Sequence, residues 1–298
     1  MPLSVRSIFQ LLGFALAGYM LAKPAQGAEP NTYVVHNEAH LQHAYALLQA
    51  AMQAGGLHAQ LIDAPQSNYR RTLYQIQHGH TDIDMATVSP QRLQLVAEGK
   101  LRMIPIPLDR GLLGWRLNLL LNKDIDKLKD VRSIGQLAKF TVGQHVGWPN
   151  VEIYKHAGIP IKEIKKWSQG EFTEQLEAGY LDTFPLGLEE TLNYFLPLFQ
   201  KRYPQLTADP HLLVRYPWFR FVWVSAHPKA DALHSALQEG FDTLAANGRF
   251  LEIWQQHRTP PPTEIYAART IIDLPNPFFD NAIIPQRYRH LLLSPSMP

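Results

Sequence analysis

Three histidines, His36, His40 and His43, recur at spacings of four and three. On a helix such spacings share one face and could bring the rings onto a metal ion. Polar helix-start positions are the plainer reading of the three, so no metal site is assigned. His78-Gly79-His80-Thr81-Asp82 is a ligand-rich turn by composition, but Gly and Asp at that spacing first suggest a helix stop and a strand entry. Asp82, Asp84, Asp182 and the Glu189-Glu190 pair supply carboxylates for acid/base work, none at a diagnostic spacing from a partner. Trp148 sits on a Gly-Trp-Pro-Asn turn, Trp115-Arg116 in an apolar run, and Tyr69-Arg70-Arg71 at a helix start. Tryptophan and tyrosine at such places can stack on a planar or sugar-like ligand. Cysteine is absent, which removes disulfides, thiolate metal sites and thiol nucleophiles. No phosphate loop, dinucleotide glycine pattern, nucleophile elbow or zinc-protease motif occurs, and no cofactor is expected.

The elements that must position these residues alternate. Strands are expected at 32–35, 58–62 and 82–88, with helices at 41–54, 69–78 and from Ser89-Pro90 to Glu98 between and after them. A second series follows: strand 141–143, helix 151–156, strand 162–166, helix 171–178, strand 181–184 and helix 189–198. Apolar runs at 112–121 and 219–225 are long enough to pass between two bodies, and amphipathic helices follow at 230–247 and 250–257. Strand-helix alternation of this kind builds α/β sheets, mostly parallel and flanked by helices. From Thr259 onward lie eight of the 23 prolines. That tail is expected to lack regular elements and to pack as an extended arm through Ile271, Ile272, Phe278, Phe279, Ile283 and Ile284.

The N-terminus reads as a cleavable signal peptide. Arg6 supplies the positive start, 8–21 an apolar stretch too short to span a bilayer, and Ala25-Gln26-Gly27 small residues for cleavage after Gly27. Removing 1–27 takes Arg6 and Lys23 from the 28 basic residues and leaves 26 against 26 acidic ones. A mature chain of that balance lacks the basic excess that broad binding to nucleic acid or anionic lipid needs. A soluble, monomeric periplasmic protein is expected.

In order along the chain, "LYQIQHGHTDIDMATVSPQR" (73–92), "FTVGQHVGW" (140–148), "FTEQLEAGYLDTFPLG" (172–187) and "LHSALQEGFDTLAANGRFLEIWQQH" (233–257) together resemble type II periplasmic solute-binding proteins, the amino-acid-binding family 3 especially. The resemblance implies two α/β lobes joined by two crossover strands and closing on a small solute. Its limits would be 28–115 plus 223–258 for the first lobe, 116–222 for the second and 259–298 for an arm packed on the first. It implies an ABC-type transporter permease as partner and no enzymatic activity. It also puts Arg92 where the family clamps a ligand carboxylate, with Thr87 and Ser89 assisting, and the plain reading of the residues adds Trp148 and Tyr69 as cleft candidates. Arg92→Ala would then weaken binding at unchanged thermal stability.

Three departures from the pattern matter. Gly187 stands where the family places its ammonium-binding Asp, Trp148 and Pro149 replace second-lobe hydroxyls, and the first strand runs almost directly into its helix without the usual aromatic loop. The ligand is therefore expected to differ from a standard free amino acid, and an anionic metabolite is one candidate. A sensory or protein-interaction module that has lost amino-acid binding is a second reading. An enzyme on this fold, such as a dehydratase, is a third; it would need a carboxylate or histidine set against Arg92 in the cleft.

Overall fold

The computed structural model describes residues 31–293. The expected signal peptide and its cleavage site lie outside them. The first sheet has the order β2-β1-β3-β10-β4, built from β1 (Asn31–His36), β2 (Ala59–Asp63), β3 (Ile83–Thr87), β4 (Leu101–Ile104) and β10 (Arg220–Ser225). β1 pairs in parallel with β2 and β3, and β10 runs antiparallel to both β3 and β4. Helices Gln42–Ala54, Asp231–Ala246 and Arg249–His257 cover this sheet, and Gly55 and Gly240 let two of them touch backbone to backbone. A Cβ on Gly240 would meet the Ala51 carbonyl oxygen at 1.8 Å, so the close approach requires glycine.

The second sheet has the order β11-β9-β5-β8, from β5 (Trp115–Leu121), β8 (Phe184–Gly187), β9 (Leu206–Arg215) and β11 (Thr270–Asp273). A Val142–Thr183 bridge carries it on to the parallel pair β6 (Val142–His145) and β7 (Ile161–Ile164). With that extension, β5 is the one strand running against the rest. Each sheet is thus mostly parallel with a single reversed strand, as the βα alternation implied. Trp115 pairs with Arg215 where the chain enters the second sheet and leaves it again, so two adjacent passages join the bodies.

The Gly-x-x-Asp turns have the same structural task in both bodies. Asp82 Oδ2 accepts the Val34 amide at 2.8 Å, and Asp182 Oδ2 accepts the Thr141 amide at 2.8 Å. Each ties the start of one strand to its neighbour.

Two expectations differ from what forms. The 206–215 strand was not anticipated. The proline-rich tail supplies a regular strand, β11, parallel to β9, before Tyr288 and Leu291 bury beside the Asp231–Ala246 helix. Its packing therefore reaches both sheets.

Candidate functional site

A cavity of about 280 Å³ opens between the two sheets, near the small end of ligand pockets, roughly 300–1,000 Å³. One wall is polar. It carries His36 from the end of β1, Asp84, Ala86 and Thr87 from β3, and Ser67, Asn68, Tyr69 and Thr72 from the start of the Tyr69–Gln77 helix. The opposite wall is largely aromatic. It presents His145, Trp148, Pro149 and Asn150 from the turn after β6, Trp167, and Phe195, with Leu186. Arg116, Glu190, Trp218 and Arg220 close the side where the bodies join.

Local sequence explains each placement. Asn68 caps the Tyr69–Gln77 helix through the Arg71 amide at 3.0 Å, which sets Tyr69 at the mouth and Thr72 one turn deeper. Ser89 caps the Pro90–Ala97 helix, accepting the Arg92 amide at 3.2 Å, and shares a 2.7 Å hydrogen bond with the Tyr69 hydroxyl. Asn150 donates to Gln144 at 2.6 Å and to the Tyr216 hydroxyl at 3.2 Å, and His145 Nδ1 donates to the Ile164 carbonyl at 2.7 Å. These bonds fix the turn that presents Trp148. Its indole packs edge-on to Trp167 at 4.9 Å, and Trp167 packs on Phe195 at 5.2 Å.

Of the five residues singled out from sequence, Tyr69, Thr87, Arg92 and Trp148 come together on the cavity wall. Ser89 is fully buried behind it and acts through its cap and its bond to Tyr69. Arg92 is not the free clamp its position suggested. Its guanidinium is 1% exposed and ion-paired with the equally buried Asp84, between the rings of Tyr69 and Trp223 at 5.1 and 5.6 Å. His36 Nδ1 approaches the other Asp84 oxygen at 3.5 Å, and its Nε2 lies 3.5 Å from the Thr72 hydroxyl.

Burial alone would raise the Asp84 carboxyl, but the Arg92 charge and His36 hold it below the ordinary value. Burial depresses His36, and Asp84 more than restores it, leaving its pKa raised. Even so, Nε and Nη1 of Arg92 and Oδ1 of Asp84 are buried with no hydrogen-bond partner. A buried polar group left unmatched costs about 1–3 kcal/mol.

A second buried network lies at the join. Glu190 holds Arg220 at 2.7 Å and His40 at 3.5 Å, Asp109 lies 4.0 Å from Arg220, and Arg258 reaches Glu189 at 3.3 Å and His43 Nδ1 at 3.0 Å. Arg116 is held by the carbonyls of Leu113 and Pro185 at 3.1 and 3.0 Å. The three early histidines therefore end on carboxylates and an arginine. Among the described residues no group of three or more His, Cys, Asp or Glu could hold a metal ion. Sequence reasoning passed over Asp109, Trp167, Phe195, Trp218, Arg220 and Arg258; a charged residue inside a strongly apolar strand, as at Arg220, is the signal that was there to read.

Burial pushes Asp109 and Glu189 up to about 7, against the pull of Arg220 and Arg258 respectively. Both acids keep their protons in the folded state at pH values where the unfolded chain has released them, so stability falls as pH rises toward and through 7. Each contributes at most about 1.4 kcal/mol per pH unit. His43, held neutral by burial and Arg258, opposes this only below its unfolded value near 6.5. Denaturant midpoints should therefore drop between pH 6.5 and 7.5, and Asp109→Asn should flatten the drop.

No protein-family model matches the sequence, and no curated protein matches it. Solved structures do. An amino acid ABC transporter substrate-binding protein from Streptococcus pneumoniae bound to L-arginine superposes with a TM-score of 0.53 at 15% identity, over 76% of this chain and 94% of that one. The GluR0 ligand-binding core from Nostoc punctiforme with L-glutamate gives 0.51 at 12%, over 76% and 98%. A further GluR0 ligand-binding core complex with L-glutamate gives 0.56 at 12%, over 78% and 100%. With two mostly parallel sheets, two connecting passages and a cavity between them, the chain has the two-lobed fold of the type II periplasmic binding proteins.

Proposed function

We propose that the chain is an extracytoplasmic solute-binding protein whose lobes close on one small metabolite and deliver it to an ABC-type transporter. The observation that carries this reading is the cavity itself, a polar wall from one sheet facing an aromatic wall from the other, with unmatched polar atoms at its edge. Strand ends that converge on a crevice are where α/β folds place ligands. The N-terminal apolar stretch supports export, and the S. pneumoniae protein of the same fold is named for such transport. Tyr69, Thr87, Arg92 and Trp148 would contribute contacts, with Ser89 setting Tyr69.

A fully anionic ligand loses its main support, because Asp84 already meets the charge of Arg92. The lining carries Arg92, Arg116 and Arg220 against Glu38, Asp84 and Glu190, three of each sign. A thermal-shift panel of small metabolites followed by calorimetry should yield saturable one-to-one binding. Trp148 is half-buried at the wall, so Trp148→Ala should weaken binding about 2- to 10-fold with little change in melting temperature. A panel with no hit would count against the reading.

One observation favours a second reading. An enzyme would need a carboxylate or histidine against Arg92, and Asp84 and His36 lie there. With its pKa raised, His36 would serve as a proton donor to a bound ligand. Conversion of a binding metabolite to product, abolished in His36→Gln, would favour this reading over simple binding.

A further inference from the structure

We infer that the ligand is a flat conjugated ring bearing a neutral edge with a hydrogen-bond donor beside an acceptor, of carboxamide or lactam type. This rests on the solute-binding reading and names the class of solute. Two independent features of the cavity carry it.

The first is the aromatic wall. Trp148 and Trp167 are half-buried, line the cavity, and are held by ring contacts: Trp167 with Phe184, Phe195 and Phe199, Trp148 with His145 and Phe184. Indole faces held this way favour the face or edge of another ring over a flexible aliphatic chain, because ring quadrupoles add to the apolar contact. The wall comes from the turn after β6 and from the Trp167 segment. It is therefore a surface for a ring, with little to offer a polar head.

The second is the polar edge opposite. Asp84 Oδ1 makes no close hydrogen bond, its nearest donor, His36 Nδ1, standing off at 3.5 Å, and Arg92 has two nitrogens, Nε and Nη1, without acceptors, all buried and adjacent through their own ion pair. An acceptor offered to Arg92 and a donor offered to Asp84 would match both. A lone carboxylate offers only acceptors and would face the Asp84 charge; a lone ammonium offers only donors and would face Arg92. A group presenting both, with no net charge, meets the array and also suits a lining whose charges balance.

A matched set separates the two features without any substitution. Benzamide and benzoate share the ring and differ at the edge; benzamide and cyclohexanecarboxamide share the edge and differ in the ring. Dissociation constants for the full chain, by ligand-observed NMR competition, should place benzamide ahead of cyclohexanecarboxamide by about 2- to 10-fold. Benzamide should lead benzoate by about tenfold or more, the order expected when a buried charge is left facing its like. Trp148→Ala should erase the ring preference and keep the edge preference, and Asp84→Asn should narrow the edge preference and keep the ring preference. Should Asp84→Asn fail to fold, the three wild-type constants still decide.

Equal affinities within either pair, or binding of L-phenylalanine but not of benzamide, would overturn the inference. If aliphatic or dicarboxylate metabolites bind saturably and the ring amides do not, the ligand class falls while the solute-binding reading stands. If neither this set nor a broad panel binds, both fall.

Discussion

Arg92→Ala is expected to destabilise the protein by about 3–5 kcal/mol, because it strips a buried carboxylate of its closest partner and leaves Asp84 in the interior with only the more distant His36 ring to offset its charge. At the roughly 2–4 °C per kcal/mol typical of larger domains, the melting temperature would drop on the order of 10 °C. The structure thus reverses the expectation of an Arg92→Ala variant weakened in binding alone. The cause is the burial of the pair, and the control follows from it. Replacing both partners by apolar residues of similar size, Asp84→Leu with Arg92→Met, removes both charges together and should recover most of the lost stability. Chemical denaturation of the three chains measures this. An Arg92→Ala chain as stable as the wild type would mean that the pair is open to water.

Glu190→Ala should cost a similar amount, about 3–5 kcal/mol, for a related reason. Glu190 is the close partner of Arg220 and also meets His40. Burial pushes its carboxyl up, but Arg220 and His40 outweigh burial and hold it well below the ordinary range. Without it, Arg220 retains the Met85 carbonyl at 3.3 Å and Asp109 at 4.0 Å. A second readout distinguishes loss of charge from loss of volume. Glu190 is one of the charges keeping the Asp109 proton on, so Glu190→Ala should bring the Asp109 carboxyl down from about 7 and shift the pH dependence of stability to lower pH. Glu190→Gln, which keeps the shape, should make the same shift with a smaller loss. A Glu190→Ala chain with an unchanged pH profile would show that Asp109 does not sense this network.

Much of the fold was legible in the sequence because period and punctuation agreed. The helix at Val151–His156 begins and ends where its turn residues put it, and Gly79 and Gly179 stop helices with φ of 71° and 70°. The strand at 206–215 was not, since it contains Asp209-Pro210. The register against β5 breaks between Leu117 and Leu119, and there the Asp209 carboxylate takes the amides of His211 and Leu212 at 3.1 and 2.8 Å. An irregularity of that kind lets a proline sit inside a strand, and no local pattern announces it.

The site divides in the same way. Tyr69, Thr87 and Trp148 follow helix starts, strand ends and turns, so their exposure to a cleft could be read locally. Asp84 was visible as a carboxylate but not as the partner of Arg92, although an acid inside the apolar run of β3 is a hint of a buried pair. Arg116, Arg220 and Trp167 reach the cavity only through the meeting of separate strands and loops, which spacing does not encode.

Hydrogen–deuterium exchange with and without a saturating small-molecule hit tests the central claim most directly. If the cavity between the lobes is the binding site, the ligand should protect residues 67–72 of the polar wall and 145–150 of the aromatic wall together, with 186–195 at the join. Protection confined to one wall, or to a surface away from both, would contradict it.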